Sequence, residues 1–217
     1  MLPSLSEVHH ACYEVVVLDV DDTLVRTGID WRRIRAEIAK VLGFEVPKTP
    51  LAEFLSGVSG SVDARKLATV LEIVHNEEMK SVDRIESNEA LKELMSELKN
   101  LGLKISVITL RSKDTTVMIL KKLNILEFID LIVTREDVSQ RLEQLKLVLK
   151  FFKVPPHAIV FFGDHETDLI AGQTLNVKTE LIPKNPNSLG VPEELLIKLR
   201  SLVEHHKLFC RNSGLPS

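Results

Sequence analysis

Cysteine is almost missing from this chain: its 217 residues include two, Cys12 and Cys210. They form neither a paired metal-ligand motif nor a C-x-x-C redox motif, and read as two unpaired thiols in a reducing compartment. No apolar run approaches the length of a transmembrane helix, and the first residues lack the profile of a signal peptide. The expected setting is cytoplasmic, with no membrane partner. Excess positive charge is also lacking. Lys and Arg total 28 against 31 Asp and Glu, a net charge of -3, which argues against nucleic acid or an anionic surface as the partner. Internal repeats and low-complexity tracts are absent too, which excludes solenoids and linker-like chains.

What remains is a soluble-type composition, 44% hydrophobic and 27% charged, with one concentrated feature. The run Val15-Val16-Val17-Leu18 reads as a strand buried on both faces. It leads directly into Asp19, Asp21 and Asp22, followed by Thr23. Carboxylates crowded at the end of a buried strand repel one another and desolvate badly. A divalent cation relieves both problems, and open α/β sheets keep their sites at the carboxyl ends of strands.

The rest of the chain falls into two parts. Residues 29–80 read as helical. A helix over 31–42 carries Trp31, Ile34, Ile38, Val41 and Leu42 on one face, with Asp30 as its cap and Gly43 as its end. A short apolar helix over 51–55 is broken by Gly57 and Gly60, and a longer one spans 61–80. From residue 82 onward, helices over 88–100, 113–123, 140–152, 166–175 and 192–206 alternate with strands over 104–109, 131–134, 158–162 and 179–182. The tail from 207 reads as frayed. This alternation predicts an α/β fold, a Rossmann-like doubly wound parallel sheet with right-handed crossovers. The helical part is an α-helical insertion after the first core strand. The expected division is a core of residues 1–27 and 82–217 with an insertion of residues 28–81, its two connections near Thr27-Gly28 and Lys80-Ser81-Val82.

Two further strand ends carry polar groups. The strand over 104–109 ends in Thr109, with Arg111 just beyond. The strand over 158–162 runs into Gly163-Asp164-His165-Glu166-Thr167-Asp168, which places Asp164 at a strand tip and Asp168 in the first turn of the next helix, where negative charge is tolerated. Asp19, Asp164, Asp168 and the backbone carbonyl of Asp21 form an all-oxygen nest suited to Mg²⁺. His165 reads as an exposed residue of no catalytic weight. The basic run Arg32, Arg33 and Arg35 reads as a solvated helix face.

In order and spacing, Asp19-Val20-Asp21-Asp22-Thr23, then Thr109, then Gly163-Asp164 with Asp168 resembles the haloacid dehalogenase superfamily. The match is to its phosphatase branch, with a cap arranged as in phosphoglycolate phosphatase-like hydrolases. The resemblance implies a Mg²⁺-dependent phosphomonoester hydrolase acting on a small phosphorylated metabolite. On that reading Asp19 is the nucleophile, Asp21 the general acid and base, and Thr109 a ligand of the phosphoryl oxygens. Asp164 ligates the metal and Asp168 completes its shell. Thr23 ties down the loop, and Asp22 has no catalytic role.

One departure stands out. Family members place a Lys at the start of the helix before the Gly-Asp strand, and residues 134–146 contain no Lys-Pro pair. Counting back from Asp164 by the family's spacing lands near Ser139, and Arg141, two residues on, is the first substitute, ahead of Arg135 and Lys146. Without such a cation the chain would be a catalytically weak enzyme or a silent binding protein on the same fold. A phosphomutase is the other enzymatic alternative.

Overall fold

The computed structural model describes residues 12–185 and 188–210. Five strands form one sheet: β1 (Val15–Leu18), β2 (Lys104–Ile108), β3 (Leu131–Val133), β4 (Ile159–Gly163) and β5 (Lys178–Leu181). Their order is β3-β2-β1-β4-β5, and every pairing is parallel. The sheet is therefore doubly wound as expected. The chain leaves β1 on the β2 side and returns on the β4 side, so the switch point lies beside β1.

Burial on both faces explains the unbroken apolar character of β1. Val16 and Leu18 face the layer formed by α4 (Glu89–Asn100), α5 (Lys113–Lys122) and α8 (Glu193–Phe209). Val15 and Val17 face the layer formed by α6 (Arg141–Phe152) and α7 (Glu166–Leu175).

Between β1 and α4 lie α1 (Trp31–Leu42), α2 (Leu51–Val58) and α3 (Ala64–Val82). They pack around a cluster of their own, with Ile34, Ile38, Leu51, Leu55, Val70 and Val74 buried. Asp30 and Asp63 cap α1 and α3 by accepting from backbone N–H groups of the first turns, and Gly43 ends α1 with φ of 87°. The second helix continues through Gly57 to Val58, because neither Gly57 nor Val58 needs a special backbone angle there. The third continues through Ser81 and Val82, both buried, so the chain turns at Asp83 instead of at 80–82. Arg84 Nη1 then donates to the carbonyls of Thr27 (3.2 Å) and Gly28 (2.9 Å), which clips the two connections of the insertion together.

Two expectations are overturned. Cys12 and Cys210 are not free thiols but a disulfide, with Cα atoms 5.6 Å apart across a sequence separation of 198. The pairing arises because α8 packs beside α4 and returns the chain to the entrance of β1, where His206 Nε2 also meets the Tyr13 carbonyl at 3.2 Å. The expected fraying from 207 is not seen up to Phe209, which is still helical. Residues 211–217 of that tail, and residues 1–11, lie outside the described residues. Among the described residues, no helix is long and apolar enough to cross a membrane.

Candidate active site

The carboxyl ends of β1, β2 and β4 meet in one place. Asp19 follows β1, is 4% exposed, and donates its backbone N–H to the Phe162 carbonyl at 2.9 Å. Beyond it the chain folds back in a tight loop: Leu24 and Val25 donate to the Val20 carbonyl, and Asp22 to that of Val25, with φ of 59° at Asp22. Backbone bonds hold this loop. Thr23 is fully buried, but its hydroxyl makes no hydrogen bond to the described residues, so the expected tie is not made there.

Ligand oxygens of Asp19, Asp164 and Asp168 lie within 4.8 Å of one another. Gly163 makes this convergence feasible, because a Cβ at that position would lie 2.6 Å from the Cβ and Cγ of Asp168. Asp168 Oδ2 accepts from the backbone N–H groups of Asp164 (3.1 Å) and His165 (2.9 Å), which fixes its orientation. His165 is the N-cap of α7, its Nδ1 accepting from the Thr167 N–H, and not a free surface residue. The other oxygen, Asp168 Oδ1, is buried and has no aligned hydrogen-bond donor among the described residues. Three hard oxygen donors converging on one point fit a divalent cation.

Arg141 lies at the first turn of α6 and is buried. Its Nη2 donates to Asp19 Oδ1 at 2.7 Å, and its Nε sits 2.6 Å from Asp168 Oδ1 as an ion pair without hydrogen-bond alignment. Its Nη1 donates to the Ile108 carbonyl (3.0 Å) and to Gln144 Oε1 (2.9 Å), so the guanidinium is held from all sides. Burial works against this charge, but Asp19 and Asp168 more than offset it and raise the pKa above its ordinary value. Burial likewise pushes the Asp19 carboxyl well up. Arg141 opposes that rise, and Asp168, Asp164 and Asp21 add to it.

The other sequence candidates separate. Thr109 lies buried at the end of β2, its hydroxyl accepting from the Arg111 N–H at 3.1 Å, and it faces the same cavity as Asp19. Arg135 turns to the insertion and pairs with Glu78, while Lys146 pairs with Glu143 on the exposed side of α6. Within the basic run, Arg33 bridges to Glu37 and Glu77, and Arg35 donates to three carbonyls, so that stretch is more engaged than a solvated face.

Two further cations, which have no role assigned from the sequence, stand at the site. Lys184, on the loop after β5, contacts Asp164 Oδ2 at 2.7 Å; burial lowers its affinity for a proton, but the Asp164 contact more than restores it. No local pattern marks this lysine. Arg111 is fully buried, and its Nη1 meets Asp21 Oδ1 at 2.6 Å while its Nη2 donates to the Glu78 carbonyl (2.8 Å) and to Ser81 Oγ. It thus joins Asp21, which also accepts from Thr27 Oγ1 at 3.0 Å, to the end of α3. Its position two residues past a polar strand end was an available signal. Burial pushes Asp22 up to about 6, with Asp164 and Asp21 adding to the rise and Lys184 and Arg26 opposing it.

The chain and its fold are similar to those of known proteins. A family described as haloacid dehalogenase-like hydrolase matches residues 16–182. Pyrophosphatase PpaX of Bacillus thuringiensis is 31% identical over 101 residues, covering 45% of this chain and 47% of that protein. The matched stretch thus spans about half the length of the curated relatives. CbbY from Rhodobacter sphaeroides, solved in complex with phosphate, superposes with a TM-score of 0.58 at 18% identity, covering 80% of this chain and 88% of CbbY. A haloacid dehalogenase-like family hydrolase from Streptococcus pneumoniae gives 0.57 at 18% identity, covering 85% and 90%. The strand-end acids, the order of the sheet and the 16–182 match together place this chain in the haloacid dehalogenase-like hydrolase family.

Proposed function

We propose that the protein is a Mg²⁺-dependent phosphomonoester phosphatase that works through a covalent aspartyl-phosphate on Asp19. The observation that carries this reading is the buried Asp19 carboxylate at the tip of β1, with Arg141 2.7 Å away and Asp164 and Asp168 converging on the same point. Asp19, Asp164, Asp168 and the Asp21 backbone carbonyl would hold Mg²⁺, which supplies positive charge to the phosphoryl oxygens when bound.

The chain's own groups do the rest. An Asp19 oxygen attacks phosphorus, so a P–O bond to Asp19 forms as the P–O bond to the leaving group breaks. Asp21 gives its proton to the departing oxygen. Water then attacks the same phosphorus, Asp21 takes its proton, and inorganic phosphate leaves while Asp19 regains its carboxylate. Arg141 holds Asp19 and offsets the charge gathering between the two acids, the role assigned by resemblance to a lysine. Thr109 binds a phosphoryl oxygen. The insertion of residues 28–81 is the cap that excludes water from the core of 1–27 and 82–217.

The substrate is a small phosphorylated metabolite. Pyrophosphate enters the candidate set through the name of the PpaX relative. A cytoplasmic setting belongs to the same proposal, with the Cys12–Cys210 disulfide as the observation against it. The contacts of Arg141 support an enzyme over a silent binding fold, because the cation missing from the sequence pattern has a counterpart beside Asp19.

The test is hydrolysis of p-nitrophenyl phosphate and a panel of small phosphoesters. Turnover should require Mg²⁺, stop with EDTA and vanish in Asp19→Asn. A protein that turns over none of them and binds no Mg²⁺ calorimetrically would sink the proposal.

A further inference from the structure

The cavity above Asp19 encloses about 1590 Å³, more than the roughly 300–1,000 Å³ of an ordinary small-ligand pocket. Its floor is charged, with Asp19, Asp164, Arg141 and Lys184. Its roof belongs to the insertion and is mixed: Arg32, Arg35, Glu45, Lys48 and His75 reach it, but one continuous part is apolar. Trp31 from α1, Leu51 and Leu55 from α2, and Leu67, Leu71 and Val74 from α3 line it. The last three recur at helical spacing on one side of α3, the side that faces the cavity.

These apolar groups are not all used up in packing. Leu71 is 43% exposed, and Trp31 and Leu67 are half-buried. Among the described residues, the cations that reach the roof stand beside this apolar part and do not interrupt it. The Arg35 guanidinium donates to the carbonyls of Pro47 (3.1 Å), Trp31 (3.3 Å) and Thr49 (3.0 Å), while Arg32 and Lys48 are exposed side chains on long flexible stems.

The roof is held over the floor by buried contacts. Glu78 of α3 pairs with Arg135 and accepts from the Ser112 N–H (3.3 Å) and Thr115 Oγ1 (3.3 Å), and Arg111 bonds Ser81. The apolar side chains thus line the same cavity as the reacting carboxylate.

From this division, and resting on the phosphatase reading above, we infer that the preferred phosphomonoester carries an apolar leaving group. An alkyl or aryl chain would lie against Trp31, Leu67 and Leu71 while the phosphoryl end meets Asp19 and Arg141. A polyol, a carboxylate or a second phosphate laid against Trp31, Leu67 and Leu71 would leave its hydrogen bonds unmade there.

The only tryptophan in the chain is Trp31, so its fluorescence reads the roof. The full chain with Mg²⁺ is titrated with methyl-, butyl- and hexylphosphonate, which cannot be hydrolysed, and turnover of the matching alkyl phosphates is followed beside glycerol phosphate and phosphoglycolate. Full burial is worth about fourfold per methylene, so affinity and kcat/KM should rise at least about thirtyfold from methyl to hexyl, with a blue shift of the Trp31 emission. Leu71→Glu and Leu67→Gln should flatten that slope, and their melting curves verify that each variant is folded.

Flat affinity across the series, or preference for glycerol phosphate or phosphoglycolate over hexyl phosphate, overturns the inference. So does an unchanged slope in both folded variants. If p-nitrophenyl phosphate is hydrolysed while the slope is absent, the leaving-group assignment alone fails. If hexylphosphonate binds but no phosphoester is hydrolysed, the phosphatase reading fails and takes the assignment with it.

Discussion

Replacing Arg141 with alanine removes a buried guanidinium from between two carboxylates, its Nη2 2.7 Å from Asp19 and its Nε 2.6 Å from Asp168. Both partners stay buried in the variant, and removing one member of a buried pair costs about 3–5 kcal/mol. For a chain of this size each kcal/mol shifts the melting temperature by roughly 2–4 °C, so a fall on the order of 10 °C is expected without metal. The chemical step suffers separately. A unit charge at about 4 Å is worth about 4 kcal/mol at an effective dielectric near 20, and if half of that acts in the transition state, kcat falls about thirtyfold. Burial and the neighbouring acids, no longer opposed, would also push the Asp19 carboxyl further up, toward its unreactive neutral form.

Arg141→Lys should lie between the two proteins, because one ammonium cannot span both carboxylates as the planar guanidinium does. Added Mg²⁺ should raise the melting temperature of Arg141→Ala more than that of the wild type, since it supplies charge where the guanidinium was. The assays are thermal melts with and without Mg²⁺ and steady-state hydrolysis of p-nitrophenyl phosphate. Wild-type activity together with a wild-type melting temperature in Arg141→Ala would refute the reasoning.

Gly163→Ala should displace Asp168, whose Cβ and Cγ would lie 2.6 Å from the new methyl group. Such overpacking costs about 1–3 kcal/mol, and calorimetry should show weakened Mg²⁺ binding, whereas unchanged binding would contradict the argument. Arg135→Ala leaves Glu78, only 1% exposed, without its cation. Hydrogen exchange across residues 28–82 should accelerate while β1 and β4 keep their protection, and uniform protection would show that this pair does not hold the insertion down. Asp22 has a pKa of about 6 in the folded chain against 3.8 for the free side chain. A folded value above the unfolded one means that its stability contribution is fully present below about pH 4 and is lost as pH rises through 6. Asp22→Asn should therefore raise the melting temperature in EDTA well above pH 6 by more than it does near pH 4. Equal shifts at the two pH values would leave only the relief of the left-handed backbone at Asp22.

How much of this was legible beforehand depends on the range of the interaction concerned. The buried run at β1, the caps Asp30 and Gly43, and the strand-helix alternation after residue 82 are local patterns, and local patterns carry over into elements almost unchanged. Asp19, Thr109, Asp164 and Asp168 could be nominated because each sits at a strand tip or in the first turn after one, and a parallel sheet gathers its carboxyl ends along one edge. Arg141 was reachable as the first of three candidates, by spacing alone, because residues 134–146 carry several cations and no local pattern says which one turns inward. The difference lies in helix phase: at the first turn of α6, Arg141 faces the sheet and Lys146 faces solvent.

The sequence by itself determined the elements, the sheet class and which acids stand at strand ends, because those follow from hydrophobic period, turn residues and the obligatory pairing of buried backbone. Only the tertiary structure decided what meets across the chain. Cys12 joins Cys210, Lys184 reaches Asp164, Arg111 links Asp21 to α3, and Arg141 rather than Arg135 stands beside Asp19. Each is a contact between segments that share no periodic pattern. Such contacts exist because packing two helical layers against one sheet brings side chains to a common point, and a single buried charge there needs a partner from wherever the fold can supply one.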